Sequence, residues 1–247
     1  MRPLRPVLRV ARALVDSRGR GLAHFLRSLA EYRRRAGGAF SWRDLNPVLH
    51  NVSEAAGYTS GHYFHQDLWA ARKIYDRRPA AHVDVGSQIG GFVSHLLTFM
   101  EVTCIDVRPM QDSVWGLRFV QDDATEMRRF ADGSVDSLSS LHAIEHFGLG
   151  RYGDPVDPDG HRKALRSFAR VLSPGGRLYL GVPIGRERVE FNACRVLAPA
   201  TVLEAVGLPL LSFSAVDDEG NFHEAARPED FQASHMACGL FEFTKPA

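Results

Sequence analysis

Cysteine is scarce in this sequence, and its placement argues against a small cross-linked domain. Only three cysteines occur among 247 residues, Cys104, Cys194 and Cys238. They lie too far apart for a disulfide framework and lack the paired spacing of a zinc-binding motif. We therefore expect no resident metal and a reducing compartment, the cytoplasm.

The sequence also lacks a charge excess and long apolar runs. Its 30 basic and 29 acidic residues give a net charge of +1, so no overall field favours a nucleic-acid partner. No apolar run reaches the roughly 18 residues of a membrane helix. We also expect no secretory signal, because the N-terminus has no continuous apolar core.

Acidic residues are almost missing from positions 1–35, which are rich in arginine. Apolar residues recur there at helical spacing, among them Leu4, Leu8, Leu22 and Leu26, which predicts an amphipathic helix. Such a basic helix can contact an anionic membrane surface, but packing on the protein with its arginines in solvent is the favoured interpretation. We predict a basic helical extension over 1–60 and a larger domain over 61–247.

Short apolar runs and helical patterns alternate after residue 80. Strands are predicted over 81–86, 102–107, 117–121, 135–141, 177–182, 210–216 and 237–244, and helices over 90–99, 160–172 and 199–206. This alternation is typical of an α/β fold, a Rossmann-like, doubly wound, mostly parallel sheet of seven strands. No helical pattern separates the last two strands, so the last strand is predicted to be antiparallel.

A glycine turn follows the first predicted strand. Asp84 and Gly86 end that strand, and Gly90 opens the next helix, which leaves the backbone accessible to a ligand. The second strand ends in Asp106, about 20 residues beyond Gly86, where an acidic side chain can accept hydrogen bonds from ribose hydroxyls. The two features together predict a cofactor that contains a nucleoside.

The order of these motifs resembles the class I S-adenosylmethionine-dependent methyltransferases, from about residue 80 to the C-terminus. The resemblance is carried by the glycine turn, Asp106, Asp123-Ala124, residues 130–136, residues 141–146 and the Pro-Gly-Gly of residues 171–178. It implies S-adenosylmethionine as the cofactor, with Asp84 at the ammonium of the amino-acid tail, Asp106 at the ribose and Asp123 at the adenine amino group. The implied cofactor-binding residues are Asp84, Gly86, Ser87, Gln88, Gly90, Asp106, Asp123, Ala124, His142 and Tyr63.

Two positions depart from the pattern of that family. Gln88 replaces a glycine that many members carry, so the backbone there must keep an ordinary φ. The stretch between Asp106 and the third strand is short and contains Pro109, so the helix usual at that place must be small or absent.

Two longer motifs, residues 61–67 and 145–155, are similar to a subgroup of that family without an assigned substrate. Its members often look like proteins of surface-polysaccharide biosynthesis. The resemblance implies a small-molecule or glycan acceptor, and we expect methylation at oxygen.

A hydroxyl acceptor must lose a proton during methyl transfer, and the candidate bases follow the fourth strand. His146 is predicted to be the general base and Glu145 to orient it. The alternative is that both residues brace the following loop. Tyr63 and His65, before the first strand, are predicted to close over the cofactor.

The acceptor is predicted to contact Arg151, Tyr152, Asp154 and Asn192. Asp154 could instead join Asp157 and Asp159 around a divalent cation. Turn chemistry is the favoured alternative for these acids, with Asp159 capping the next helix.

Three other functions are compatible with some of these features. His142 and His146 match the His-x-x-Glu-His pattern of inverted zinc peptidases, which requires a helix, whereas residues 135–141 predict a strand. A nicotinamide-dependent oxidoreductase would share the glycine turn and Asp106 but not Asp123 or the Pro-Gly-Gly motif. A non-catalytic methyltransferase-like binding module would keep the fold without turnover.

Overall fold

The structure is a computed structural model that describes residues 5–36, 45–50, 52, 54, 56–57 and 59–247. The chain forms two compact units, Met1–Tyr58 and Thr59–Ala247. The first contains helix α1, Arg5–Ala36, which confirms the predicted N-terminal helix. Within the ranges described, no helix has the length and apolar character that crossing a membrane requires. The contact of α1 with a membrane or with the protein stays a prediction.

The second unit is built on a mixed sheet of eight strands. In chain order they are β1 (His82–Val85), β2 (Val102–Asp106), β3 (Leu117–Gln121), β4 (Val135–Leu141), β5 (Leu172–Ile184), β8 (Leu210–Val216), β9 (Phe222–His223) and β10 (Ala237–Thr244). Two further strands, β6 (Arg188–Glu190) and β7 (Cys194–Val196), form a separate antiparallel pair.

The order across the sheet is β3-β2-β1-β4-β5-β10-β8-β9, and the first five of these are parallel. Strand β10 is antiparallel to both of its neighbours, β5 and β8. The predicted fold class is therefore confirmed. The sheet has eight strands rather than seven because the two-residue strand β9 also pairs with β8.

The helices of this unit are α2 (His62–Arg77), a π-helical turn (Ile89–Val93) continued by α3 (Ser94–Leu96), α4 (Gly160–Val171) and α5 (Pro199–Val206), with short 3₁₀ helices at Ile144–His146 and Pro228–Phe231. The helix predicted over 90–99 is thus short and irregular. Gly91 packs against α2, where a Cβ would lie only 2.6 Å from Oδ2 of Asp67. No helix occurs between β2 and β3, as the short loop with Pro109 predicted.

Two apolar clusters lie on opposite faces of the sheet. Trp69 and Ile74 of α2 pack with Phe92 in one cluster, whereas Leu165 of α4 and Val202 of α5 belong to the other. Neighbouring strand residues alternate between the two clusters because successive side chains in a strand point to opposite faces. Helices therefore cover both faces, and the carboxyl ends of β1–β4 are left for loops.

Candidate functional site

The loops after β1, β2, β3 and β4 surround a cavity of about 370 Å³ at the carboxyl edge of the parallel strands. Open α/β sheets bind ligands in this position. Seven of the predicted cofactor- or acceptor-binding residues line the cavity besides the general-base candidate His146: Gly86, Asp106, Asp123, Ala124, His142, Tyr152 and Asp154. Arg108, Phe147 and Lys163 also line it, although no sequence motif indicated them.

Gly86 allows the β1 turn to approach its neighbours closely. Its φ is +71°, and its N–H donates to the carbonyl of Ile105 at 3.0 Å. A Cβ on Gly86 would lie 2.9 Å from the Cβ of Ala143. Gln88 has a φ of −71°, the ordinary backbone conformation that was predicted for it. Gly90 is exposed, and a Cβ at this position would meet no atom within 4 Å.

Asp84 lies beneath the turn rather than in the cavity. Its carboxylate accepts hydrogen bonds from the backbone N–H of Ser87 at 3.1 Å, the Ser87 hydroxyl at 2.6 Å and the Ser139 hydroxyl at 2.6 Å. Burial raises the pKa of Asp84 to about 6, although these hydrogen bonds oppose the shift. Asp84 thus holds the turn in place and is only 1% exposed, and its contact with a cofactor ammonium stays a prediction.

The hydroxyl of Ser87 is likewise committed to the protein. It donates to Asp84 and accepts from the N–H of Leu141 at 2.9 Å. Ser139 connects Asp84 to a buried histidine, because its hydroxyl also lies 2.9 Å from Nε2 of His82. Since Ser139 donates to Asp84, His82 must donate to Ser139. The only sign of these buried polar contacts in the sequence is His82, a histidine within the apolar strand β1.

Asp106 ends β2 and forms a forked ion pair with Arg108. The guanidinium donates to Oδ1 at 2.9 Å and to Oδ2 at 2.6 Å, and the backbone N–H of Arg108 also donates to Oδ1 at 2.8 Å. Partial burial raises the pKa of Asp106, but the hydrogen bonds from Arg108 outweigh it and the net pKa is lowered. Arg108 also lies 4.4 Å from the ring centre of Tyr152.

Asp123 follows β3 and lines the same cavity as Asp106, which ends the neighbouring strand β2. Its Oδ1 accepts from the N–H of Thr125 at 2.8 Å and from the Thr125 hydroxyl at 2.7 Å. Among the described residues, Oδ2 has no partner. The turn thus fixes the carboxylate and leaves one oxygen able to accept from a ligand.

His142 is the first residue after β4 and adopts a left-handed backbone with a φ of +49°. Its Nδ1 lies 2.6 Å from Oε1 of Gln66, and its Nε2 lies 3.2 Å from Nδ1 of His62. Burial lowers the pKa of His142 to about 3. The predicted residue Tyr63 does not line the cavity, but its ring centre lies 5.1 Å from that of His142.

His146 lies at the cavity wall, held by the turn between β6 and β7 rather than by Glu145. Its Nδ1 lies 2.8 Å from the carbonyl of Ala193, so Nδ1 must carry the proton and Nε2 keeps the lone pair. Burial lowers the pKa of His146, so the neutral imidazole is favoured.

Glu145 does not orient His146 by a hydrogen bond, which corrects that prediction. Its Oε1 is 3.8 Å from Nε2 of His146, beyond hydrogen-bonding distance. The side chain is only 2% exposed, and Oε2 has no hydrogen-bond partner in the described part of the chain. Burial raises the pKa of Glu145 to about 8.

The loop after His146 uses its polar residues largely on itself. Asp154 accepts from the N–H groups of Gly148 at 2.7 Å and Tyr152 at 3.1 Å. Arg151 donates to the carbonyl of Ala193 at 2.7 Å. These contacts fit the turn chemistry that the sequence offered as an alternative to a cation site. Asp159 precedes α4, but its side chain makes no capping hydrogen bond.

Two residues after β5 are placed away from the cavity. Asn192, a predicted acceptor ligand, is exposed and does not line it. Arg195, which is 4% exposed, donates to the carbonyl of Phe147 at 2.7 Å and so holds the β4 loop.

The fold is similar to that of solved class I methyltransferases. The 1,6-didemethyltoxoflavin-N1-methyltransferase of Burkholderia thailandensis, solved with 1,6-didemethyltoxoflavin and S-adenosylhomocysteine, is 16% identical over 92% of this chain and 89% of its own, with a TM-score of 0.53. The N-methyltransferase NodS of Bradyrhizobium japonicum WM9, in complex with S-adenosylhomocysteine, is 15% identical over 88% of this chain and 98% of its own, with a TM-score of 0.50.

The [4+2]-cyclase SpnF has the same architecture: it is 16% identical over 78% of this chain and 86% of its own, with a TM-score of 0.55. These similarities therefore establish a fold rather than a reaction. No curated protein matches the sequence significantly.

Residues 90–228 match the family described as "Caenorhabditis protein of unknown function, DUF268". The match covers more than half of the chain, which therefore belongs to this family. It includes Asp106, Asp123 and the loop after β4, and its description assigns them no activity.

Proposed function

We propose that the chain is an S-adenosylmethionine-dependent methyltransferase that acts on an oxygen of a small-molecule or sugar-containing acceptor. The observation that carries the proposal is the placement of Asp106 and Asp123, which follow adjacent parallel strands and line one cavity. Two such carboxylates suit a nucleoside, because ribose hydroxyls and the adenine amino group all donate hydrogen bonds.

The size and the lining of the cavity support this cofactor. Its volume of about 370 Å³ falls within the range of small-molecule sites, roughly 300–1,000 Å³. Asp106 would accept the ribose hydroxyls in place of the guanidinium N–H groups of Arg108. When bound, S-adenosylmethionine supplies a methyl group carried on a sulfonium. The sulfur leaves as a neutral thioether, so no acid is needed to assist it.

The chain itself must position the acceptor, exclude water and remove a proton. His146 suits the last task because the carbonyl of Ala193 holds its Nδ1–H and leaves Nε2 basic. Burial lowers its pKa, so the imidazole is unprotonated at neutral pH. His146 Nε2 would take the proton of the acceptor hydroxyl as methyl transfer proceeds.

The acceptor side of the cavity carries an aromatic ring beside this base. Tyr152 lines the cavity, and its ring centre lies 5.5 Å from that of His146 in an edge-to-face arrangement. An aromatic ring of this kind can pack on the apolar face of a sugar. The further proposal of a role in polysaccharide biosynthesis rests on the motif resemblance.

Isothermal titration with S-adenosylhomocysteine tests the cofactor assignment on protein shown to be folded by circular dichroism. We expect saturable binding of one equivalent. Folded protein that gives no heat would contradict the proposal, and fluorescence enhancement of a reduced nicotinamide would favour the oxidoreductase instead. Transfer of a radiolabelled methyl group to a polar metabolite extract tests turnover; binding without any transfer would indicate a non-catalytic module.

A further inference from the structure

Three potential metal ligands meet on the side of His142 that faces α2. They are His62, the first residue of α2, His142 after β4, and Cys238 in β10. One ligand atom from each residue lies within 4.8 Å of the other two. Nδ1 of His62 is 3.2 Å from Nε2 of His142, close to the roughly 3.3 Å that separates two nitrogens in a tetrahedral zinc site.

Gln66 fixes the tautomer of His142. The amide orientation follows from its Nε2, which donates to Oδ1 of Asp67 at 3.2 Å, so Oε1 is the atom 2.6 Å from Nδ1 of His142. An amide oxygen can only accept, so Nδ1 carries the proton and the lone pair of Nε2 points towards His62. Metal-bound histidines are commonly oriented in this way by an acceptor at the other nitrogen.

Gly181 makes room for that acceptor. A Cβ at this position would lie 2.9 Å from Oε1 of Gln66, and the carbonyl of Gly181 also accepts from the N–H of His142 at 2.8 Å. Gln66 is 1% exposed, so its amide has little freedom to turn away. The backbone and a buried side chain thus hold the His142 ring from two sides.

Two imidazole nitrogens lie close enough to share one ion, since Nδ1 of His62 is 3.2 Å from Nε2 of His142. Cys238 is fully buried, and its sulfur is the third ligand atom of the group. Two imidazole nitrogens and one sulfur form the kind of ligand set that zinc prefers.

We propose that His62, His142 and Cys238 bind one divalent transition-metal ion of the zinc type, with Gln66 as a positioning residue and water as the fourth ligand. The thiol proton of Cys238 passes to solvent when the ion binds, and both histidines enter as neutral imidazoles, so no redox partner is needed. The ion would be held beside the cavity, since His142 also lines it.

Metal titration of the full chain, after removal of metals with a chelator, tests this site without any cofactor. Its outcome is therefore independent of the methyltransferase proposal. Zinc affinity is measured by competition with a chromophoric chelator, and Co²⁺ is used as a spectroscopic probe because a bound thiolate gives a charge-transfer band. We expect one equivalent of tightly bound zinc and a cobalt–thiolate band.

His62→Ala and Cys238→Ser should each weaken zinc binding by about 100-fold or more, since each removes a ligand. His223→Ala and Cys194→Ser are matched controls away from the site and should bind like the unaltered chain. Cys238→Ser should also lose the cobalt–thiolate band.

Equal zinc affinity in the unaltered chain and in Cys238→Ser, or no cobalt–thiolate band in the unaltered chain, would overturn the proposal and leave a hydrogen bond between two histidines. Should Cys238→Ser fail to fold, Cys104→Ala and Cys194→Ser decide by elimination. A band that persists in both assigns the thiolate to Cys238, and its loss in either contradicts the assignment.

Discussion

The two sides of the cavity are organised differently. On the side formed by the loops after β1, β2 and β3, the key carboxylates contact residues close in sequence: Asp106 pairs with Arg108 and Asp123 with Thr125. On the side formed by residues 142–159, the two histidines make distant contacts: His142 meets Gln66, 76 positions away, and His146 meets the backbone 47 positions away. The two acids are thus oriented locally, whereas the two histidines are held in place only once the whole domain has folded.

The largest expected effect belongs to Glu145, on the second side. Burial raises its pKa from 4.5 to about 8, so the folded state resists ionisation. The unfolded state loses this proton first, and the free energy of unfolding must therefore fall as pH rises from about 4.5 to about 8. Glu145→Gln has no such proton to lose. Its free energy of unfolding should therefore rise by roughly 2–5 kcal/mol relative to that of the unaltered chain as pH increases from about 4.5 to about 8.

Urea unfolding of both proteins at a series of pH values measures the difference. Asp84 and Asp67 also have pKa values raised by burial, to about 6 in each case, but they are common to both proteins and cancel. Glu204→Gln, in an exposed position of α5, is the control for loss of one carboxylate. A constant difference between pH 4.5 and 8 would show that Glu145 is not held in an apolar environment.

The contrast between near and distant contacts also explains what the sequence could predict. The strands, the glycine turn and the acids Asp106 and Asp123 were predictable because alternating apolar runs and short turns are local signals. Three other features were not predictable: the hydrogen bond of His146 to the carbonyl of Ala193, that of Arg195 to the carbonyl of Phe147, and the burial of Asp84. They depend on which distant segments pack together, which spacing in one sequence does not reveal.

The same reason hides the proposed metal site. His62, His142 and Cys238 are separated by 80 and 96 positions, so no motif spacing joins them. Gln66 and His62 lie within the 61–67 motif, which was connected with closure over a cofactor. The structure shows that part of this motif holds the His142 ring, a role that only the folded domain makes visible.

On the first side, two glycines of one turn should respond oppositely to the same substitution. Gly86→Ala places a Cβ in a left-handed conformation and 2.9 Å from that of Ala143, which should lower the free energy of unfolding by about 2 kcal/mol. Gly90→Ala meets open space and should be neutral or stabilising by up to about 1 kcal/mol. Thermal or urea unfolding of the two variants measures both changes.

Cofactor titration of the same pair then tests the turn as a binding element. Loss of S-adenosylhomocysteine binding in stably folded Gly90→Ala would show that the ligand approaches the backbone there. If Gly86→Ala proved as stable as the unaltered chain, the loops after β1 and β4 could not lie as close together as described.

Asp106 and its ion-pair partner should have unequal effects on cofactor affinity. Asp106→Ala removes a charged acceptor from the ribose, which should weaken binding by about 2 kcal/mol, or roughly 30-fold. Arg108→Ala removes a competitor for the same carboxylate, and since exposed ion pairs contribute about 0–1 kcal/mol, affinity should rise slightly or stay constant. Isothermal titration measures both, and unchanged affinity in Asp106→Ala would contradict the ribose assignment.

The smallest expected effect concerns which ring nitrogen of His146 carries the proton. It is also the sharpest test of the second side. The carbonyl of Ala193 accepts from Nδ1 at 2.8 Å, so the neutral ring should carry its proton on Nδ1 and titrate below its ordinary pKa of 6.5, because burial disfavours the cation. Nitrogen-15 NMR of labelled histidines reports both properties, and His146→Ala identifies the signal. A neutral ring protonated on Nε2 would leave no lone pair there, and the assignment of His146 as the base would fall even if the cofactor binds as proposed.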